Sequence, residues 1–495
     1  MNLANIIDGH PAEHVALISW GRETTYGQLR DDVAALRSGL GSLGVQQGDR
    51  VAMLVGNNRY FVVSYLAIIG LGAVVVPLNP TSPAPEVERE IAVVSAVAVV
   101  VGPAGAPSWK KVDLAVVPSV RHVIAADGEL AGALAMDSLN HSVPVPVAHV
   151  GPDALAALIF TSGTAGAPRA AMLSHGNLLS NIAQANTASS AITASDVVYG
   201  VLPLFHIYGL NVVLGIALSA GARVVLVQRF DPSTALETIR DRGVTVLPGA
   251  PPLWIAFAAF ADAPADAFAT VRNASTGAAK MPEEAIRHLR ERFGLQLSEG
   301  YGLTEASPVV TSSRGMETRV GSVGKVLEGI EVRLVDDNGD DVLSGDAGEI
   351  WVRGPNVFHG YFNDPESTAR VLTEDGWLRT GDIAVTDADG YLYLIDRAKD
   401  LIIVSGFNVY PKEVEDVLME YPGVVEVGVI GVPHPHTGEA VKAFVVSAPG
   451  VHLDEDALID HCLDELARYK CPSKIIFVDQ LPRNLSGKLL RRELM

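Results

Sequence analysis

The stretch Phe160-Thr161-Ser162-Gly163-Thr164-Ala165-Gly166-Ala167-Pro168-Arg169 decides how this chain is read. It follows an apolar run, 154–160, that has the character of a buried strand. Its glycines let the backbone adopt positive φ and bring amides close to a ligand. Its hydroxyls and amides can donate to phosphate oxygens, and the Arg169 guanidinium adds charge and a planar fork. Two readings fit this loop by itself: a loop wrapping the phosphates of a nucleotide, or a surface turn. The surrounding sequence separates them.

Strand and helix patterns alternate on both sides of the loop up to about residue 270, as in an α/β protein with largely parallel sheets. Residues 15–20 have strand character. Thr25 is placed to cap a helix whose apolar residues recur at Leu29, Val33, Leu36 and Leu40. Residues 60–78 are nearly all apolar and approach membrane-spanning length. Gly70, Gly72 and Pro77 interrupt them, so they read as a buried helix running into a buried strand. Residues 202–210 form a loop before a strongly apolar helix. Residues 244–247 and 273–277 read as strands, with Gly277-Ala278-Ala279 at the ligand-binding ends of the sheet. From about Gly324 short strands and turns such as 336–340 indicate a β-rich subdomain. Beyond it come a helix at 413–421, strands at 424–430 and 441–447, and a helix at 454–467 with an apolar face of Leu458, Cys462, Leu463 and Leu466. A last strand is expected at 474–478.

The chain has 495 residues, enough for several domains, and 48% hydrophobic content suits a well-buried globular protein. A net charge of −20 argues against a nucleic-acid surface. Two cysteines, Cys462 and Cys471, make neither a disulfide framework nor a zinc pattern, and residues 1–8 lack the features of a signal peptide. A cytoplasmic setting is expected.

Five separated motifs then agree in type and order: 161–169, 203–210, 299–308, Thr380-Gly381-Asp382, and Asn484-Leu485-Ser486-Gly487-Lys488. Together with 396–415 they resemble the adenylate-forming (ANL) superfamily, which includes acyl-CoA synthetases, coumarate ligases, firefly luciferase and peptide-synthetase adenylation domains. The resemblance runs over nearly the whole chain and is closest to bacterial fatty-acid–CoA ligases. It implies an α/β fold with a large N-terminal domain, 1–396, of two mixed α/β sheets plus a β-rich subdomain at about 324–396. A hinge at 397–400 and a small mobile α+β C-terminal domain, 401–495, follow.

The resemblance also implies a two-step reaction. A carboxylic acid and ATP give an acyl adenylate and pyrophosphate, and the thiol of coenzyme A then displaces AMP. Thr161, Ser162, Gly163, Thr164, Gly166 and Arg169 would hold the β- and γ-phosphates. Thr304 would donate to the α-phosphate. Glu305, with Thr164, would hold Mg2+. Gly300, Tyr301 and Gly302 would form one side of the adenine site, with Tyr301 stacked on the base and Gly277, Ala278 and Ala279 as the opposite wall. Glu299 would meet the adenine edge. Asp382 would take the ribose hydroxyls, with Arg397 as the second ribose or phosphate contact. Lys488 would reach both the α-phosphate and the substrate carboxylate, and His206 would lie beside the acyl pocket. Lys399 falls at the hinge, about which the C-terminal domain would swap Lys488 for Ser405, Gly406 and Phe407 beside the pantetheine tunnel.

The phosphate loop departs from the family pattern. Ala165 stands where threonine is common, Arg169 where lysine is, and Ala170 where glycine is. The acyl-pocket segments, 205–214, 251–254, 275–279 and 302–310, are apolar or small and nearly free of carboxylates. Residues 204–209 carry no aspartate for a substrate ammonium, so an unsubstituted acid is favoured. A medium- or long-chain fatty acid is the first expectation and an aromatic acid the second. An acyl carrier protein as acceptor and contact with a membrane surface stay open.

Overall fold

A computed structural model of the chain describes residues 1–139, 145–161, 169–186, 190–278, 281–336, 338–397, 402–404, 407–434, 438–466, 468–483 and 489–494. The expected fold class is the one observed. A seven-stranded sheet runs, edge to edge, through Leu134–Ala135, His122–Ala125, Ala98–Val101, Arg50–Leu54, Val74–Pro77, Leu155–Thr161 and Arg169–Ser174. Its strands are parallel except for the last pair. A nine-stranded sheet runs through Lys325–Val326, Val309–Ser312, Leu297–Gly302, Asn273–Thr276, Val246–Gly249, Val197–Gly200, Arg223–Leu226, Val15–Ser19 and Arg22–Thr25. Its centre is parallel and both of its ends are antiparallel. Strands such as Val74–Pro77 and Ala98–Val101 are buried on both faces, which is why they read as unbroken apolar runs.

Between these sheets the residues 60–78 resolve as expected, into the helix Arg59–Gly70 and the strand Val74–Pro77. The helix starts at Asn58, whose Oδ1 accepts from the amides of Tyr60 and Phe61. It joins Tyr26–Ser42, His175–Ala185 and Tyr208–Gly215 and strands of both sheets in one core. Each large side chain fully buried there contributes about 1.5–3 kcal/mol. Thr25 caps its helix as expected, in a reciprocal capping box with Gln28. No helix among the described residues is long and apolar enough to cross a membrane.

The β-rich subdomain is an antiparallel sheet of four strands, Glu331–Val335, Gly348–Arg353, Leu378–Thr386 and Leu392–Arg397. Ile350, Val352, Leu378 and Ala384 join it to the main core. Beyond it a five-stranded sheet contains Phe407–Val409, Ile402–Val404, Gly438–Ser447, Val424–His434 and Lys474–Phe477, covered by helices Pro411–Met419 and Glu455–Glu465. One expectation fails here. Leu458 and Cys462 are buried, but Leu463 is 43% exposed. One residue on from Cys462 the helix has turned about 100°, which carries Leu463 off the packed stripe. The hinge expected at 397–400 lies outside the described residues apart from the backbone of Arg397.

Helix Ala84–Val94 buries a carboxylate. Glu90 is 7% exposed, and its Oε2 has no hydrogen-bond partner among the described residues. Burial pushes its pKa up to about 8, with Glu86 adding and Arg89 opposing. The folded state therefore holds a proton that the unfolded chain gives up near the ordinary carboxylate value. Glu90 leaves stability intact below that value and subtracts from it as pH rises toward 8. Glu90→Gln is expected to melt about 2–4 °C higher than wild type at pH 8.5 and no higher at pH 4. Equal melting points at pH 8.5 would contradict the assignment.

Candidate active site

Strands Leu155–Thr161 and Arg169–Ser174 pair antiparallel, with Thr161 opposite Arg169. The opening stretch thus spans a hairpin whose neck is the Thr161–Arg169 pair. Thr161 Oγ1 approaches the Arg169 carbonyl at 3.5 Å. Ser162, Gly163, Thr164, Ala165 and Gly166 lie outside the described residues. The Arg169 guanidinium lies over the Tyr361 ring, 5.4 Å from its centroid.

In the nine-stranded sheet, Asn273–Thr276 and Leu297–Gly302 are parallel neighbours. Their carboxyl ends bring Gly277 and Ala278 beside Gly300 and Gly302. Ala279 lies outside the described residues, and Ala278 has φ +74°. After Gly302 the chain makes the tight turn Thr304–Ala306 and returns as Val309–Ser312. A Cβ on Gly302 would sit 2.1 Å from the Pro308 carbonyl oxygen, so no other residue fits there.

Three asparagines grip this turn. Asn356 Nδ2 donates to the Ala306 carbonyl at 2.8 Å, and Asn211 Nδ2 to the Ser307 carbonyl at 2.7 Å. Asn181 donates to the Val309 carbonyl and accepts from its amide. The turn presents Thr304 and Glu305, both partly exposed. Glu305 Oε1 accepts from the Tyr361 hydroxyl at 2.7 Å. Burial, then Glu305, raises the Tyr361 pKa well above the usual phenol range.

Tyr301 and Asp382, 81 residues apart, meet directly: the Tyr301 hydroxyl donates to Asp382 Oδ2 at 2.7 Å. They are 8% and 6% exposed. The Asp382 amide donates to Thr380 Oγ1, which itself donates to the Ile350 carbonyl. Gly381, at φ +71°, donates its amide to Glu349. Asp382 faces Arg397 across the strand pair, so the two expected ribose contacts are cross-strand neighbours. Only the backbone of Arg397 is described. Glu299 is buried one residue before Gly300, and its amide donates to Ser313 Oγ at 2.8 Å.

His206 is exposed, and desolvation by the surrounding protein lowers its pKa. His206 Nδ1 accepts from the Tyr208 amide at 3.2 Å. The neutral ring therefore carries its proton on Nε2, as a donor. The loop is tight: a Cβ on Gly209 would lie 2.2 Å from the Pro203 carbonyl oxygen. It enters a π-helical stretch, Tyr208–Gly215, which also carries Asn211. The Tyr208 ring lies against Gly277, 3.4 Å from where a Cβ would stand. Burial pushes the Tyr208 pKa up to about 12, against the Ser275 hydroxyl and the Arg314 charge, which lower it.

Lys488, Ser405, Gly406 and Lys399 lie outside the described residues, and only the backbone of Phe407 is described. The neck of the Lys488 segment is visible: Arg483 and Leu489 bridge, and the Leu490 amide donates to the Pro482 carbonyl at 2.9 Å. No cluster of three or more His, Cys, Asp or Glu side chains that could hold a metal occurs among the described residues. A Mg2+ carried mainly by triphosphate oxygens needs only one or two protein carboxylates, and Glu305 is such a group.

Sequence reasoning missed Asn181, Asn211, Asn356 and Tyr361. An amide inside an apolar run, as Asn211 is in 207–218, is a legible sign of a buried polar anchor.

Residues 3–362 match the AMP-binding enzyme family and 413–488 its C-terminal domain. Feruloyl-CoA synthase of Amycolatopsis sp is 37% identical over 96% of this chain and 94% of its own length. Long-chain-fatty-acid–CoA ligase of Yersinia pestis is 36% identical over 98% of this chain and 91% of its own. The ATP-bound structure of MatB from Rhodopseudomonas palustris superposes with a TM-score of 0.92 at 33% identity, covering 100% of this chain and 98% of that one. The chain belongs to the AMP-binding enzymes, as an acyl-CoA synthetase of the adenylate-forming superfamily.

Proposed function

We propose that this enzyme joins a carboxylic acid to coenzyme A through an acyl adenylate at the cleft between Thr304-Glu305, Asp382 and His206. The observation that carries this reading is the convergence of Asp382, Tyr301, Thr304 and Glu305 beside the hairpin neck at Thr161 and Arg169. A free carboxylate is a poor electrophile, and adenylation gives it a leaving group. The work is positioning and charge stabilisation.

In this reading Asp382 accepts from the ribose hydroxyls while Tyr301 holds its other side. Thr304 donates to the α-phosphate. His206 Nε2–H orients the incoming carboxylate. Lys488 offsets the charge that builds as that carboxylate attacks the α-phosphorus and pyrophosphate leaves. Glu305, with Thr164, would hold Mg2+, which would supply charge neutralisation at the phosphates. Rotation of 401–495 about Lys399 then replaces Lys488 with Ser405, Gly406 and Phe407 for attack by the coenzyme A thiol.

The segments lining the acyl side favour an acid without an ammonium group. A medium- or long-chain fatty acid is one candidate. The side chains around Tyr208 favour another. Ser275 and Arg314 both act on the Tyr208 hydroxyl, and Arg314 Nε donates to Ser190 Oγ at 3.1 Å. These groups already bond one another, so an alkyl tail would pack beside them without a polar contact, whereas an oxygen-bearing tail, as on a hydroxylated aryl acid, could join the network.

Pyrophosphate release should be measured over octanoate, palmitate, benzoate and a hydroxycinnamate, with and without coenzyme A. Thioester is expected with coenzyme A, fastest for the hydroxycinnamate. Fastest turnover of palmitate would restore the fatty-acid reading. Adenylate without thioester would point to a carrier-protein acceptor. No pyrophosphate with any acid would refute the enzyme assignment.

A further inference from the structure

The segment after the β-rich strand Gly348–Arg353 returns to the opening hairpin and lies along it as an added strand. The Met172 amide donates to the Gly360 carbonyl at 2.9 Å, the His359 amide to the Met172 carbonyl at 3.0 Å, and the Phe362 amide to the Ala170 carbonyl at 2.8 Å. The same segment grips Glu305 by its backbone, since the Phe358 amide donates to the Glu305 carbonyl at 2.9 Å. Tyr361 sits at the centre, 7% exposed, its ring edge-to-face with Phe358 at 5.1 Å. Its amide donates to Thr368 Oγ1 at 2.9 Å, and Thr368 Oγ1 in turn donates to the Asp364 carbonyl. The tyrosine thus has little freedom. Its hydroxyl reaches Glu305 Oε1 at 2.7 Å, and its ring face lies under Arg169 at 5.4 Å.

We propose that Tyr361 is a positioning residue that ties the cation at the end of the phosphate loop to the carboxylate that meets the metal. This rests on the reading of Glu305 given above. One oxygen of Glu305 is occupied by the phenol, and no other side chain among the described residues bonds the carboxylate. The hydrogen bond restrains which way the carboxylate turns and leaves Oε2 for the metal. The ring gives Arg169 a platform that a lysine would use less well, since a planar guanidinium stacks on an aromatic face. The Arg169 departure from the family's usual lysine thus has a structural partner in this chain.

Tyr361→Phe separates the two links, because it keeps the ring under Arg169 and removes only the hydroxyl. Outer-shell partners of metal ligands usually change affinity or activity by about 10–100-fold. Calorimetric titration with MgATP, and with ATP in EDTA, reads the effect without turnover. Tyr361→Phe should weaken MgATP binding about 10-fold and leave metal-free ATP binding unchanged. It should also raise the Mg2+ concentration giving half-maximal pyrophosphate release by about the same factor. Thioester formation from supplied acyl adenylate should be unaffected. Tyr361→Leu should in addition weaken metal-free ATP binding, because Arg169 loses its platform. Equal weakening of MgATP and metal-free ATP by Tyr361→Phe, or no change in either, would overturn the proposal. If wild type released no pyrophosphate with any acid, the assigned reaction would fall, and the two calorimetric titrations would still decide the role of Tyr361.

Discussion

Replacing Lys488 with alanine is expected to slow acyl-adenylate formation by about 10³-fold, since removing a single group that stabilises transition-state charge typically costs 10²–10³ or more. The second half-reaction, coenzyme A attacking supplied acyl adenylate, should continue at close to the wild-type rate. The reason is geometric. Arg483 and Leu489, which flank the segment carrying Lys488, bridge to each other. Leu489 packs with Ile430, Phe444 and Leu481 on the C-terminal sheet, which anchors that bridge to the sheet. In the alternation we propose, the lysine would leave with 401–495 for the thiol step. Pyrophosphate exchange with ATP measures the first step and thioester absorbance the second. Loss of both steps would contradict alternation, and retention of both would remove Lys488 from the site.

Asp382→Ala should raise the KM for ATP by about 10²-fold with a smaller change in kcat. The wild-type carboxylate would accept two charge-assisted hydrogen bonds from the ribose, each contributing about 1.5–3 kcal/mol. The substitution has a second cost, because the Tyr301 hydroxyl loses its 2.7 Å partner in a buried position. Losing a hydrogen bond to a charged group costs about 1.5–3 kcal/mol. Tyr301→Phe isolates this part: it should leave the KM for ATP within a few-fold of wild type while Asp382 remains. Asp382→Asn should fall between, because its carbonyl still accepts from Tyr301 while the charge is gone. A wild-type KM in Asp382→Ala would exclude Asp382 from the ribose site.

Much of the fold and part of the site are legible in the sequence, and the divide between what is and what is not has a physical cause. Local signals identified the capped helix at Thr25, the buried helix and strand within 60–78, the strand leading into the opening loop, and the turn-rich subdomain after Gly324. Each arises from neighbours within a few residues: a cap, a 3.6- or 2-residue period, or a glycine forced by a close approach. The ordered motifs likewise singled out Thr304, Glu305 and Asp382 as candidates, because such motifs are short runs.

Tertiary structure alone decided which of these groups touch. Tyr301 reaches Asp382 across 81 residues, and Tyr361 reaches Glu305 across 56. Asn211 reaches Ser307 across 96. Such pairs depend on strand order, on the return of 355–362 along the opening hairpin, and on which side of a strand each residue occupies, none of which a local pattern encodes. Leu463, apolar and expected inward, is exposed instead because its step along the helix carries it off the stripe of Leu458 and Cys462. The loop at 161–169 was recognisable from its own glycines and hydroxyls. Its connection to Glu305 through Arg169 and Tyr361 was not, because it requires three segments distant in the chain to fold against one another.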